Sequence, residues 1–179
     1  MTWNEYLPLA EKTLSKEFYA NKKEEFLLHS VMGIITELEE LIDSKDVVNM
    51  GEEIADIFWY ISIIDRELSI NLKIENNDND EQYNILALYK VSSLLMDHLK
   101  KKIFYNKEID TDNFKQLTLD LFNKLCNFCK TNNIDIESIL ESNIDKLKAR
   151  YGEKFTSERA INRDLETERE ILEEGYKKS

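Results

Sequence analysis

The chain has 179 residues, 42% of them apolar and 34% charged, with a formal net charge of −12, four glycines, one proline and two cysteines. That length suits one domain with a substantial core. The shortage of Gly and Pro excludes a turn-rich sandwich or barrel, two cysteines exclude a disulfide scaffold, and the acidic balance argues against a general nucleic-acid binder. A small phosphorylated ligand stays compatible with this charge, because a divalent metal can supply the missing positive charge. No apolar run reaches transmembrane length and no signal-peptide pattern opens the chain, so the expectation is a cytoplasmic protein with no membrane association.

In chain order, Thr2 to Phe18 carries Trp3, Tyr6, Leu7, Leu14 and Phe18 and predicts an opening helix. Glu24 to Ile42 is clearer: Leu27, Leu28, Val31, Ile34, Ile35, Leu38, Leu41 and Ile42 recur at the spacing of an amphipathic helix. Asn49 followed by Glu52 resembles a capping pair and predicts a second long helix to about Leu68. The polar stretch Asn76 to Glu81 reads as a loop. Helices follow over Tyr83 to Ile103, Asp112 to Thr131 and Ile136 to Arg150, with a break at Phe104 to Asp110. Ser157 to Tyr176 is dense in charge and predicts an exposed helix with i, i+4 pairs, or an arm that packs on a partner. The expected organisation is an all-α domain over residues 1–155 and a charged C-terminal helix or arm over 156–179.

One internal comparison stands out. With Asp56 placed on Asp120, Ser69-Ile70-Asn71-Leu72 falls on Asn133-Ile134-Asp135-Ile136 without a gap. This is compatible with a degenerate duplication of a helical hairpin. Glu53 then falls on Leu117, so one half would keep the acids and the other would be structural.

Glu37 and Glu40 lie three apart on the first long helix, and Glu53 and Asp56 repeat that spacing on the next. Two antiparallel helices could bring the four carboxylates together, and magnesium favours oxygen ligands of this kind. The spacing alone fits two solvated helix faces equally well. The surroundings of Asp56 say more: Ile54, Ile57, Phe58, Trp59, Tyr60, Ile61, Ile63 and Ile64 leave its helix almost without a polar side. Carboxylates on such a helix must be protonated, paired with a cation or metal-bound. Glu52 reads as a capping residue, and Glu39 lies off the cluster's side.

Asn143, Lys146 and Arg150 share one face of a later helix. They could bind phosphate and base, or simply form the wet edge of an amphipathic helix. Cys126 and Cys129 form a lone Cys-x-x-Cys in an apolar helix, which reads as packing. His29 and His98 have no nucleophile beside them and read as packing too, and the four glycines make no phosphate loop.

Glu37-Leu38-Glu39-Glu40, twelve residues, then Glu53-Ile54-Ala55-Asp56 resembles the acidic signature of the all-α nucleoside triphosphate pyrophosphohydrolases, which include the MazG proteins and the dimeric dUTPases. His29 to Gly33 is similar to the family's lead-in to the first acidic pair. Asn143 to Phe155 is similar to the C-terminal helix of phage-type MazG-like proteins, as are Lys101 to Tyr105 and Ala160 to Arg169 to other segments of them. The likeness spans most of Leu27 to Glu174. It implies a MazG-like helical bundle in which Glu37, Glu40, Glu53 and Asp56 bind Mg2+, with Mn2+ as a substitute. It further implies that Asn143, Lys146, Arg150 and Tyr151 contact a nucleoside triphosphate that is cleaved to the monophosphate and pyrophosphate. The mechanism expected for this has water attack the α-phosphorus while one of the glutamates, Glu40 the first candidate, orients or deprotonates it. A homodimer is expected on the same ground. Thr36 departs from the pattern, standing where many members have another Glu. The competing expectation is a helical nucleotide-binding or interaction protein of the same fold without turnover.

Overall fold

Apolar residues spaced for helices and polar residues able to cap them account for the architecture of the computed structural model, which describes residues 1–13, 23–74, 84–152 and 156–178. The elements are α1 (Trp3–Lys12), α2 (Lys23–Ile42), α3 (Val47–Leu68), α4 (Ile85–Tyr105), α5 (Thr111–Thr131), α6 (Ile136–Tyr151), α7 (Ser157–Ile161) and α8 (Leu165–Lys178). No strand occurs among the described residues, and the protein is an all-α helical bundle. None of these helices is long and apolar enough to cross a membrane. The end of the expected opening helix (Leu14 and Phe18), the loop at Asn76 to Glu81, and Lys154 and Phe155 lie outside the described residues.

Of the apolar residues whose spacing predicts α2, Leu27, Val31, Ile34, Leu38 and Leu41 are buried, whereas Leu28 and Ile35 flank the stripe half-buried and Ile42, at the helix end, is exposed. Its partner α3 starts differently from expectation. Asp46 is the N-cap, accepting a hydrogen bond from the Asn49 backbone N–H at 2.9 Å. Asn49 and Glu52 therefore lie inside the helix, and both their side chains turn to other partners. Aspartate outcompetes the Asn49 pair because its carboxylate reaches the unpaired amides of the first turn one turn earlier.

Helices α2 and α3 form an antiparallel hairpin whose close approach depends on Gly33. A Cβ there would stand 2.1 Å from Cζ of Tyr60, so only glycine lets the ring lie on the α2 backbone. Beyond α3 the chain reverses through Ser69 and Asn71, both at positive φ (50° and 63°). Asp65 secures that reversal: its carboxylate accepts the Asn71 N–H at 2.8 Å and the indole N–H of Trp3 at 3.0 Å, tying the end of α3 to α1.

Helices α4 and α5 make a second antiparallel hairpin, joined near its turn by the 3.0 Å contact of His98 Nε2 with Asn113 Oδ1. Helix α4 runs two residues past the expected Ile103, to Tyr105, where Asn106 (φ 50°) adopts the left-handed conformation that stops it. In the alignment that places Asp56 on Asp120, Ser69 falls on Asn133, and both sit at closely similar φ, 50° and 54°. The core lies where α3 crosses the rest, with Trp3, Phe58 and Phe122 in edge contact at 5.0–5.8 Å. Cys129 is buried in it and Cys126 packs alongside; burial pushes the Cys126 thiol up to about 12 and Cys129 well up, which leaves both unreactive.

The C-terminal charged segment is two helices rather than one. The break at Asn162–Asp164 arises because Asp164 caps α8, its carboxylate accepting from the backbone N–H and the hydroxyl of Thr167. Helix α8 packs on α6 and touches α3. Gly175 makes the α6 contact possible, since a Cβ there would lie 1.9 Å from Oγ of Ser142.

Candidate metal centre

The antiparallel hairpin sets the two acidic pairs facing each other. Glu37 and Glu40 project from α2 and Glu53 from α3, and one carboxylate oxygen of each lies within 4.8 Å of the others. Glu40 is exposed, Glu37 half-buried and Glu53 only 6% exposed. Asn49, freed from capping, donates to Glu53 Oε1 at 2.6 Å.

Asp56 stands apart from this trio. Its Oδ1 accepts from Asn143 Nδ2 at 2.6 Å and its Oδ2 from Lys146 Nζ at 2.6 Å, both on α6. Asn143 is oriented in turn by Tyr6, whose hydroxyl donates to Asn143 Oδ1 at 2.8 Å. Lys146 is fully buried and also reaches Glu52 Oε1 at 3.2 Å. Of the three states open to an acid on this apolar helix, the half-buried Asp56 therefore takes the ion pair. Glu52, read from the sequence as a cap, is instead the second anchor of the buried ammonium. Glu39 lies off the cluster and accepts from the Tyr89 hydroxyl. Thr36 is exposed, its hydroxyl turned back to the Gly33 carbonyl at 2.8 Å.

The electrostatics follow from counting. Glu37, Glu40, Glu52, Glu53 and Asp56 surround one buried ammonium. Burial, then the neighbouring Asp56, Glu40 and Glu53, push the Glu37 carboxyl up to about 8; burial, then Glu52, Asp56 and Glu40, push Glu53 up to about 7. Burial works to depress the Lys146 ammonium, but the Asp56 and Glu52 carboxylates outweigh it and raise its pKa. The trio is thus a set of hard oxygen donors whose full negative charge the surroundings do not balance, so that without a cation Glu37 and Glu53 retain protons to higher pH. Both properties fit a divalent cation such as magnesium or manganese.

The trio lies in a cavity of about 640 Å³. Beyond the acids along α2 and α3 the cavity is walled by His29, Trp59 and Tyr60, packed edge to face with Trp59–Tyr60 ring centroids at 4.9 Å and His29–Tyr60 at 5.4 Å. Trp59 Nε1 donates to Thr13 Oγ1 at 2.9 Å. Burial lowers the His29 pKa by disfavouring its charged form. His98 lies elsewhere, on Phe114 at 6.0 Å.

A further part of the wall is cationic. Arg150, Arg163 and Arg169 line it together with Glu168. Burial alone would raise the Glu168 carboxyl, but hydrogen bonds from Arg150 and Arg163 hold it down at about 2. Tyr151 is buried beside them, with the Arg150 guanidinium 5.7 Å from its ring centroid.

The structure thus gathers Glu37, Glu40 and Glu53, pairs Asp56 with Asn143 and Lys146, and commits Arg150 to Glu168. Sequence reasoning missed Glu52, Tyr6, Arg163, Glu168 and Arg169. The two arginines among these had a visible signal: four of the chain's five arginines fall between positions 150 and 169. No protein-family model, curated protein or solved structure matches this chain.

Proposed function

We propose that the protein is a magnesium-dependent nucleoside triphosphate pyrophosphohydrolase of the MazG-like type. The observation that carries this reading is the convergence of three glutamate oxygens within 4.8 Å inside a cavity that also presents aromatic rings and guanidinium groups. The order of motifs along the chain supports the same reading. Glu37, Glu40 and Glu53 hold the cation. When bound, magnesium neutralises phosphate charge and makes a water acidic enough to attack. Glu40, the most exposed of the three, accepts the proton of the water that attacks the α-phosphorus. The bond from that phosphorus to its bridging oxygen breaks, and pyrophosphate leaves with its charge balanced by the arginine wall.

Asp56 serves this site indirectly. Asn143 and Lys146 are committed to it, so their part is to fix α6 against α3 and to set the charge around the trio. Trp59 and Tyr60 offer ring surfaces to the base.

A second reading, a nucleotide-binding protein without turnover, is favoured by one observation: both oxygens of Asp56 are already engaged. One experiment separates the two. Canonical and deoxynucleoside triphosphates are incubated with the protein and Mg2+, and pyrophosphate release is measured. The hydrolase reading expects release from at least one nucleotide and a loss of about 100-fold or more in Glu53→Gln. Magnesium-dependent binding with no pyrophosphate from any nucleotide establishes the second reading instead.

A further inference from the structure

Arginine is unevenly distributed in this chain. Lysines are scattered along it, but four of five arginines are confined to the end of α6, to α7 and α8 and to the link between those two. Three of these four, Arg150, Arg163 and Arg169, stand on the wall of the cavity that holds the glutamate trio. Arg159 donates to the Tyr151 carbonyl at 2.5 Å and pins α7 to the end of α6.

Glu168 organises the group. Only 3% exposed, it accepts from Arg150 Nε and Nη2 at 2.8 and 2.6 Å and from Arg163 Nε and Nη2 at 3.2 and 2.7 Å. Around Glu168 one carboxylate faces two guanidiniums, a local positive excess in a protein whose total charge is −12, while Arg169 on the same wall is paired with Asp46 and Glu173. Arg163 keeps 38% of its side chain exposed, so it can meet a ligand without first leaving Glu168. A guanidinium suits phosphate better than an ammonium because its planar donors bind two oxygens at once, and holding it in place beforehand removes the entropy lost on binding. A staple needed only to hold α8 would have no reason to open on the cavity.

We infer that α7 and α8 form the phosphate-side wall of the substrate site, with Arg163 contacting the polyphosphate of the ligand and Glu168 positioning Arg150 and Arg163 to receive it. This rests on the nucleotide reading above, and it makes residues 156–178 part of the site rather than an appendage.

The full chain, Arg163→Gln, Glu168→Gln and Glu168→Asp are titrated calorimetrically with inorganic triphosphate at constant excess magnesium, and with magnesium alone. The expected result is about tenfold weaker triphosphate binding in both glutamine variants, partial recovery in Glu168→Asp, and unchanged binding of magnesium alone. For a turned-over nucleotide, KM rises by about the same factor while kcat falls far less. The assignment is overturned if the unsubstituted chain does not bind triphosphate, or if Arg163→Gln binds it as tightly as the unsubstituted chain. It is also overturned if Glu168→Gln melts at a lower temperature with unchanged affinity, which makes Glu168 a staple alone. Should Glu168→Gln not fold, Arg163→Gln decides by itself. If no nucleotide is hydrolysed but the triphosphate series behaves as expected, the hydrolase reading fails and the wall assignment stands.

Discussion

The hairpins α2–α3 and α4–α5 are built to nearly the same size, 20 and 22 residues against 21 and 21, yet the aspartates midway along their second helices are satisfied in opposite ways. In α4–α5 that aspartate and the buried hydroxyls close on their own helix. The Ser92 hydroxyl donates to the Leu88 carbonyl, the Thr118 hydroxyl to the Phe114 carbonyl, and Lys124 folds back on Asp120 one turn away. In α2–α3 the acids depend on other elements: Asp56 on Asn143 and Lys146 of α6, Asp65 on Trp3 of α1. Asp56 and Asp120 stand at the same distance from the starts of α3 and α5, so the contrast is between like positions on two helices. Local satisfaction makes a helix that could be exchanged for another. Satisfaction across elements makes one that assembles a site.

The largest effects should test that contrast directly. Lys146→Met removes the ammonium between Asp56 and Glu52, and Phe122→Ala empties the core of the second hairpin. Each is expected to cost about 3–5 kcal/mol in urea unfolding. Only Lys146→Met should alter magnesium affinity, tightening it several-fold as a nearby positive charge is lost. Equal magnesium affinities in the two variants would erase the distinction between the halves.

A smaller effect is expected from pH. The folded carboxyls of Glu37 and Glu53 sit above their ordinary value of 4.5, at about 8 and about 7. Between pH 4.5 and 8 the folded state therefore holds more protons than the unfolded chain, and metal-free stability falls as pH rises through that window. A total fall of about 2 kcal/mol is expected, less than full linkage because Glu37 keeps contact with solvent. Saturating magnesium should abolish or reverse the slope, because it replaces those protons. Metal-free melting curves that stay flat from pH 5 to 8 would contradict this charge distribution.

The smallest effects belong to the second hairpin's polar groups. Ser92→Ala and Thr118→Val should each change stability by no more than about 1 kcal/mol, because the carbonyls they bond already accept from their own helices. A loss above about 2 kcal/mol in either would mean that α4–α5 also depends on partners beyond its own helices.

Much of the fold was legible because it is local. The 3.6-residue spacing of Leu27, Val31, Ile34, Leu38 and Leu41 marks α2 to within a residue, and the end of α3 at Leu68 is where the apolar run stops. Starts were harder, since Asp46, Asn49 and Glu52 compete chemically as caps and only backbone geometry decides among them. The single charged tail divided in two because Asp164 can cap a fresh helix, a possibility that a charge count does not register. In the site, the glutamate trio follows from two hairpin-adjacent pairs, so it could be read from spacing. The capture of Asp56 by Lys146 could not, because it depends on how α6 crosses α3, and so on packing between distant segments.

Lys146 lies 90 residues after Asp56 and 94 after Glu52. Synthesis from the N-terminus at roughly 5–20 residues per second means that the acidic hairpin emerges about 5–20 s before its buried ammonium exists. The local contacts of α2 with α3 can form early, while five like charges on their facing edge oppose complete closure. Charge balance at the heart of the molecule is accordingly a late event in its folding, and it waits for α6.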